Sequence, residues 1–188
     1  SDIFDYSMAL VGDDVPFQYD LGDIYGRADF DLSIRGANPP LISGDVTVFE
    51  AEYLEEFDDD LTAAAIAAAD TIALWDYDIN VDMLPASVSV KNSDMNMVVD
   101  GRLRVLRENA LDNYIGTLNI VRGTMYFGDV NLRIQPGSYL QFDNIEKPDP
   151  QLFIDATWRV RNMSGDISSA SVTDVPLQIR GTITEPSL

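Results

Sequence analysis

The sequence predicts an all-β protein. Three observations carry that. Apolar and polar residues alternate with period two along most of the chain. Gly and Pro punctuate the alternating runs as turn signals. One Ala-rich stretch alone carries a helical signal.

Taken in order, residues 1–27 are weakly patterned, with Phe17 and Tyr19 alternating with Gln18 and Asp20. A strand is expected from Ala28, where Phe30, Leu32 and Ile34 alternate with Asp29, Asp31 and Ser33. Arg35 to Pro40 closes it, and Leu41 to Tyr53 forms the next strand. Asp58, Asp59 and Asp60 then precede L-T-A-A-A-I-A-A-A-D. Acidic residues suit a helix N-terminus and alanine has the highest helix propensity, so 58–73 reads as a short helix or a mobile insert.

The β pattern returns after Trp75. Tyr77, Ile79, Val81 and Met83 alternate with Asp76, Asp78, Asn80 and Asp82, Pro85 ends the run, and Val88 and Val90 form a short strand. Met95, Met97 and Val99 open a long strand that continues through Leu103 and Val105. The densest patterning lies in Tyr114–Phe142. Leu118 and Ile120 begin it, Val130, Leu132 and Ile134 alternate with Asn131, Arg133 and Gln135, and Leu140 and Phe142 resume after the Pro136-Gly137 turn signal. This predicts adjacent antiparallel strands with one dry side. Leu152, Ile154, Ala156, Trp158 and Val160 make a further strand, and Val175, Leu177 and Ile179 the last.

Leu32-Ser33-Ile34-Arg35-Gly36 is echoed by Leu177-Gln178-Ile179-Arg180-Gly181, with Leu103-Arg104-Val105-Leu106-Arg107 as a degenerate third copy. Such an echo suits a repetitive, extendable sheet.

The chain has 188 residues and 46% hydrophobic content, enough to bury a core. It has 32 acidic against 12 basic residues and a net charge of −20, so phosphate backbones are repelled and nucleic acid is not a partner. An excess of this size is also what a high-salt surrounding favours. No run of apolar residues is long enough to span a membrane. There is no Cys and no His, which excludes disulfides, Ser-His-Asp triads and His-held metals. Asp76-x-Asp78-x-Asn80-x-Asp82 resembles the start of a calcium loop, but Val81 replaces the required Gly and Ser87 the closing Glu. It reads as the wet face of a strand. Glu50, Glu52, Glu55 and Glu56 read as a solvated strand end rather than a glycosidase carboxylate pair. No enzyme activity, metal or cofactor is expected.

Patterning leaves the dry faces open to two readings. They could be the covered core of a sandwich or barrel, or the bare concave face of one curled sheet.

An ordered series of motifs resembles the C-terminal conserved domain of the TamB family, translocation and assembly module proteins. It comprises Val99-Asp100-Gly101-Arg102-Leu103, Ile115-Gly116-Thr117-Leu118-Asn119-Ile120-Val121-Arg122-Gly123, Leu132-Arg133-Ile134-Gln135-Pro136-Gly137-Ser138-Tyr139-Leu140-Gln141-Phe142, Asp149-Pro150-Gln151-Leu152-Phe153-Ile154-Asp155-Ala156, and Val175 to Pro186. Residues 75–188 are the most similar, and Ala28–Tyr53 fits the family's upstream repeats. The Ala-rich insert and the extreme acidity depart from the family pattern.

The resemblance implies a single elongated β domain over 1–188, as a piece of a longer chain. Its fold would be a long curled antiparallel or mixed sheet, an open trough with an apolar concave face. It implies a periplasmic protein, anchored in the inner membrane when full length and meeting an outer-membrane barrel of the TamA or BamA type. The expected role is to shield phospholipid acyl chains on the way to the outer membrane. The lining is expected from Leu118, Ile120, Val130, Leu132, Ile134, Leu140, Phe142, Leu152, Ile154, Trp158, Leu177 and Ile179. On this expectation Leu132→Arg leaves the sheet folded and blocks lipid passage. The alternative role is a chaperone that pairs its sheet edges with nascent outer-membrane strands.

Overall fold

The computed structural model describes residues 6–19, 23–36, 39–54, 75–108, 111–145, 149–162 and 171–187. The expected helix or insert at 58–73 lies outside the described residues.

All of the described regular structure is β, in one 11-stranded sheet. In chain order the strands are β1 (Ser7–Tyr19), β2 (Ile24–Arg35), β3 (Leu41–Tyr53), β4 (Asp76–Lys91), β5 (Met95–Glu108), β6 (Leu111–Phe127), β7 (Val130–Ile134), β8 (Tyr139–Ile145), β9 (Gln151–Asn162), β10 (Ser171–Gly181) and β11 (Pro186–Ser187). They lie side by side nearly in chain order, in ten lanes, and every pairing is antiparallel except β3 with β4. At about 4.8 Å per lane, the sheet extends roughly 40 Å across its strands. β1 and β10 are not joined, so the sheet is open and not a barrel. Extensive backbone contact occurs only between lane neighbours, so the described residues form no second sheet and no sandwich.

The seventh lane departs from the expected order. β7 and β8 do not lie side by side around a Pro136-Gly137 hairpin. They run end to end, both paired to β6 on one side and to β9 on the other. Pro136 and Gly137 sit in the break, where the lane is interrupted without reversing. β4 departs in the opposite sense, continuing through Pro85 instead of stopping there. Residues 84–87 bulge out between the Met83–Gly101 and Val88–Val99 pairs, and Pro85 needs no ladder partner in a bulge.

Most of these irregularities line up, the exception being the shift between Tyr114 and Ile115 where β6 meets β8. Register shifts occur between Gly12 and Val15, Arg27 and Ala28, Val48 and Ala51, Met83 and Val88, and Val98 and Val99. The β7–β8 break falls within about a residue pair of the same height. A bulge bends its strand and adds twist. A row of them creases the sheet along a line perpendicular to its strands.

The outer face is held by cross-strand ion pairs. Arg104 binds Asp78 through two 2.7 Å hydrogen bonds, Arg102 lies 2.8 Å from Asp82, and Arg159 grips Asp174. Hydrogen bonds from Arg104 and Arg159 hold the Asp78 and Asp174 carboxyls below the usual carboxylate range. Asn80 donates to Asp45 at 2.9 Å. The Asp76–Asp82 run therefore lies on the outer face of β4, with Asp78 and Asp82 facing arginines of β5. Among the described residues no acidic cluster could hold a metal ion, and no helix is long and apolar enough to cross a membrane.

A candidate apolar groove

Side chains alternate between faces along a strand, and paired residues share a face. Following the pairs lane by lane therefore traces one continuous surface. At one height it runs from Val15 through Ala28, Val48, Met83, Gly101, Leu118 and Leu140 to Leu152. A parallel row passes from Met125 through Leu132 and Trp158 to Val175. All twelve residues expected to line the groove fall on this face.

Their burial differs. Ile154 and Ile179 are fully buried, Leu132 is 1% exposed, and Leu118, Ile120, Ile134, Leu140, Phe142 and Leu152 are also buried. Val130 and Leu177 are half-buried, and Trp158 is 37% exposed. Ile154, Leu132 and Ile179 belong to one cluster with Met97 and Val99, spanning β5 to β10. The sheet curls so that this half of its concave face packs tightly. Gly101 and Gly116 permit close approach within it. Both have positive φ, and a Cβ on either would sit 2.1–2.2 Å from the neighbouring strand's carbonyl oxygen.

The open part of the face lies at the other end. Leu10, Val15, Phe17, Ala28, Phe30, Leu32 and Val46 line a recess of about 190 Å³ over β1–β3. Of these, Leu10 and Val15 escaped the sequence reading, which saw only the Phe17–Tyr19 alternation of β1. Leu10 and Gly12 share a phase, Val15 and Phe17 share another, and Asp13-Asp14 separates them. Two Asp opposite the single Asp29 are a bulge, and a search that tolerated one extra residue would have joined the two runs.

Charged side chains are almost absent from this face. Among paired positions of the described residues, only Arg107 and Asp112 place a charge on it. Among the described residues the surface offers no nucleophile–base pair and no carboxylate pair across a cleft; Glu55 and Glu56 lie outside them. Glu52 lies on the outer face and accepts the Tyr25 hydroxyl. Chemically, the face can do one thing well, which is to remove hydrocarbon from water.

No curated protein matches the chain. Residues 9–188 match the TamB C-terminal domain. The match covers almost the whole chain and agrees with the long open sheet, so the protein belongs to the TamB family, structural and transport proteins of the cell envelope that serve outer-membrane biogenesis and have no known catalysis.

Proposed function

We propose that this domain shields phospholipid acyl chains during their passage to the outer membrane. The observation that carries the reading is the continuous apolar face, which crosses every lane from β1 to β10 with no second sheet over it among the described residues. Each buried CH₂ gains about 0.8 kcal/mol, so drawing two 16-carbon chains through water would forfeit roughly 25 kcal/mol. A groove that replaces bilayer contact step by step leaves a nearly level path. The β1–β3 recess is where a chain enters. The twelve residues from Leu118 to Ile179 form the floor beyond it, meeting one another when the groove is empty. The full-length protein acts from the periplasm, anchored in the inner membrane, and delivers to an outer-membrane barrel of the TamA type.

Native mass spectrometry of the purified domain tests this. Copurified phospholipid or detergent is expected at a discrete mass increment, lost when the recess is blocked. A domain that never carries lipid, even after incubation with mixed micelles, sinks the proposal.

A second reading is favoured by one observation. Among the described residues the first half of β1 has no strand on its outer side and carries apolar side chains on both faces, Met8 being 59% and Val11 72% exposed. Such an edge suits strand addition by a nascent outer-membrane protein. The β10 edge suits it less, because Pro176 removes a donor there. Crosslinks from Ala9 to unfolded barrel strands, without lipid in the complex, would support the chaperone.

A further inference from the structure

Arg107 and Asp112 face each other across β5 and β6 at one rim of the groove, beside Tyr77 at the start of β4. The Tyr77 hydroxyl donates to Asp112 Oδ1 at 2.8 Å, and its ring lies 5.9 Å from the Arg107 guanidinium carbon. Burial, and then the Asp112 carboxylate, push the Tyr77 phenol up, so it stays a neutral donor. Arg107 itself is poorly used. Its Nε is 3.6 Å from Asp112 Oδ1, too long for a hydrogen bond, and that nitrogen is buried without an acceptor. The outer-face Arg–Asp pairs of Arg102, Arg104, Arg159 and Arg180 close to 2.7–3.2 Å. Among the described residues Arg107 thus has its charge balanced, its plane braced over a ring and its Nε without an acceptor, with the side chain 22% exposed.

The internal echo explains how an arginine came to this face. In Leu32–Gly36 and Leu177–Gly181 the arginine directly follows Ile and takes an outer-face position. In Leu103–Arg107 an extra Leu106 delays it by one residue, and period two turns it onto the groove side. The Leu32 and Leu103 copies end at the same rim, whereas the Leu177 copy ends level with Arg102.

We propose that Arg107, braced by Tyr77 and Asp112, is a rim site for the phosphate of a lipid headgroup whose acyl chains lie in the groove. The inference rests on the acyl-chain reading above. A guanidinium presents a planar fork of donors that matches two phosphate oxygens. Val105 and Ile79 lie next inward on the same face, so hydrocarbon begins where the charge ends. The surrounding net charge of −20 disfavours a small free anion, which has no chains to hold it against that field.

The test loads the 188-residue domain from micelles holding equal amounts of dipalmitoyl phosphatidylglycerol and dipalmitoylglycerol, with native mass spectrometry as the readout. The two lipids share their chains and differ in the phosphate headgroup. Wild type is expected to favour the phospholipid by about tenfold. Arg107→Gln should bring the ratio to about one while total lipid is kept. Arg107→Lys should restore part of the preference, and Asp112→Asn should raise it by freeing the cation. Glycerophosphate at millimolar level should leave the ratio unchanged. An even ratio in wild type, a ratio indifferent to Arg107→Gln, or displacement by glycerophosphate overturns the headgroup site. Should Arg107→Gln lose its strand circular dichroism, Asp112→Asn decides, and an unchanged ratio there overturns it. Absence of both lipids from wild type overturns the acyl-chain reading itself, and this site with it.

Discussion

Ser138 Oγ accepts the Asp155 backbone amide at 3.1 Å and so carries β9 across the gap between β7 and β8. The same hydroxyl donates to the Gln135 carbonyl at 2.8 Å, and the Ser138 carbonyl accepts the Ile120 amide at 2.9 Å. Together with the Gln135 amide, which donates to the Asp155 carbonyl at 2.7 Å, this buried serine replaces the ladder that the break removes. Ser138→Ala leaves a buried amide without its partner and should cost about 1–3 kcal/mol. A lower urea midpoint at unchanged slope is the expected result. An unmoved midpoint would show that the break tolerates the missing bond.

The tight end of the groove should behave as core. Ile154→Ala removes a fully buried side chain at the meeting of β9 and β10 and should cost about 2–5 kcal/mol. Trp158→Ala, at a position 37% exposed, should cost less despite the larger truncation. Equal losses in chemical denaturation would contradict the burial gradient.

Blocking the groove calls for a charge at its open end. Leu132 is 1% exposed, so Leu132→Arg buries an unpaired cation and should unfold the domain instead of obstructing it. Leu32 lines the open β1–β3 recess. Leu32→Arg should keep a urea midpoint close to wild type and lose bound lipid in native mass spectrometry. Retained lipid would place the entry elsewhere.

The Asp13–Asp14 bulge should make stability depend on pH. A hydrogen bond with Asp29, and then the charge of Asp29, push the Asp13 carboxyl up. A carboxyl raised in the fold destabilises above its folded pKa, and that penalty fades as pH falls through it. Asp78 and Asp174 act with the opposite sign. Their lowered values stabilise above the unfolded carboxylate pKa of about 3.9, and this is lost as pH falls through the folded values. Asp13→Asn should therefore raise Tm at pH near 7 and converge with wild type toward pH near 4. A difference in Tm that stays constant with pH would refute the assignment.

Regular alternation made much of this fold legible. β9 could be read almost residue by residue, because Leu152, Ile154, Ala156, Trp158 and Val160 keep one phase and take the groove side, and only Phe153, stacked on Tyr139 on the outer face, breaks the alternation. What escaped were the places where two residues face one. The β1 pattern changed phase at Asp13-Asp14, and Pro85 looked like an end because a bulge and a terminus share their residue types. Pro136-Gly137 reads as a hairpin in any one-dimensional pattern, and only the pairing of both β7 and β8 with β6 and β9 shows that the lane continues. The groove face itself was legible as a phase, since all twelve expected residues share it. Its closed and open ends were not, because the curl depends on the whole sheet. Arg107 was visible only as an imperfect repeat. Its meaning comes from the single residue by which the repeat slips.

The aligned bulges carry a mechanical consequence. A flat ladder resists bending along its strands, whereas a sheet in which β1, β3, β4 and β6 hold extra residues near one height gives way there. The line they draw runs parallel to the direction in which lanes stack, from β1 toward β8. Flexing about it changes the gap between the two rims while the ladders on either side stay paired. The domain is thereby built like a hinged book spine, with its strands still joined on either side of the crease.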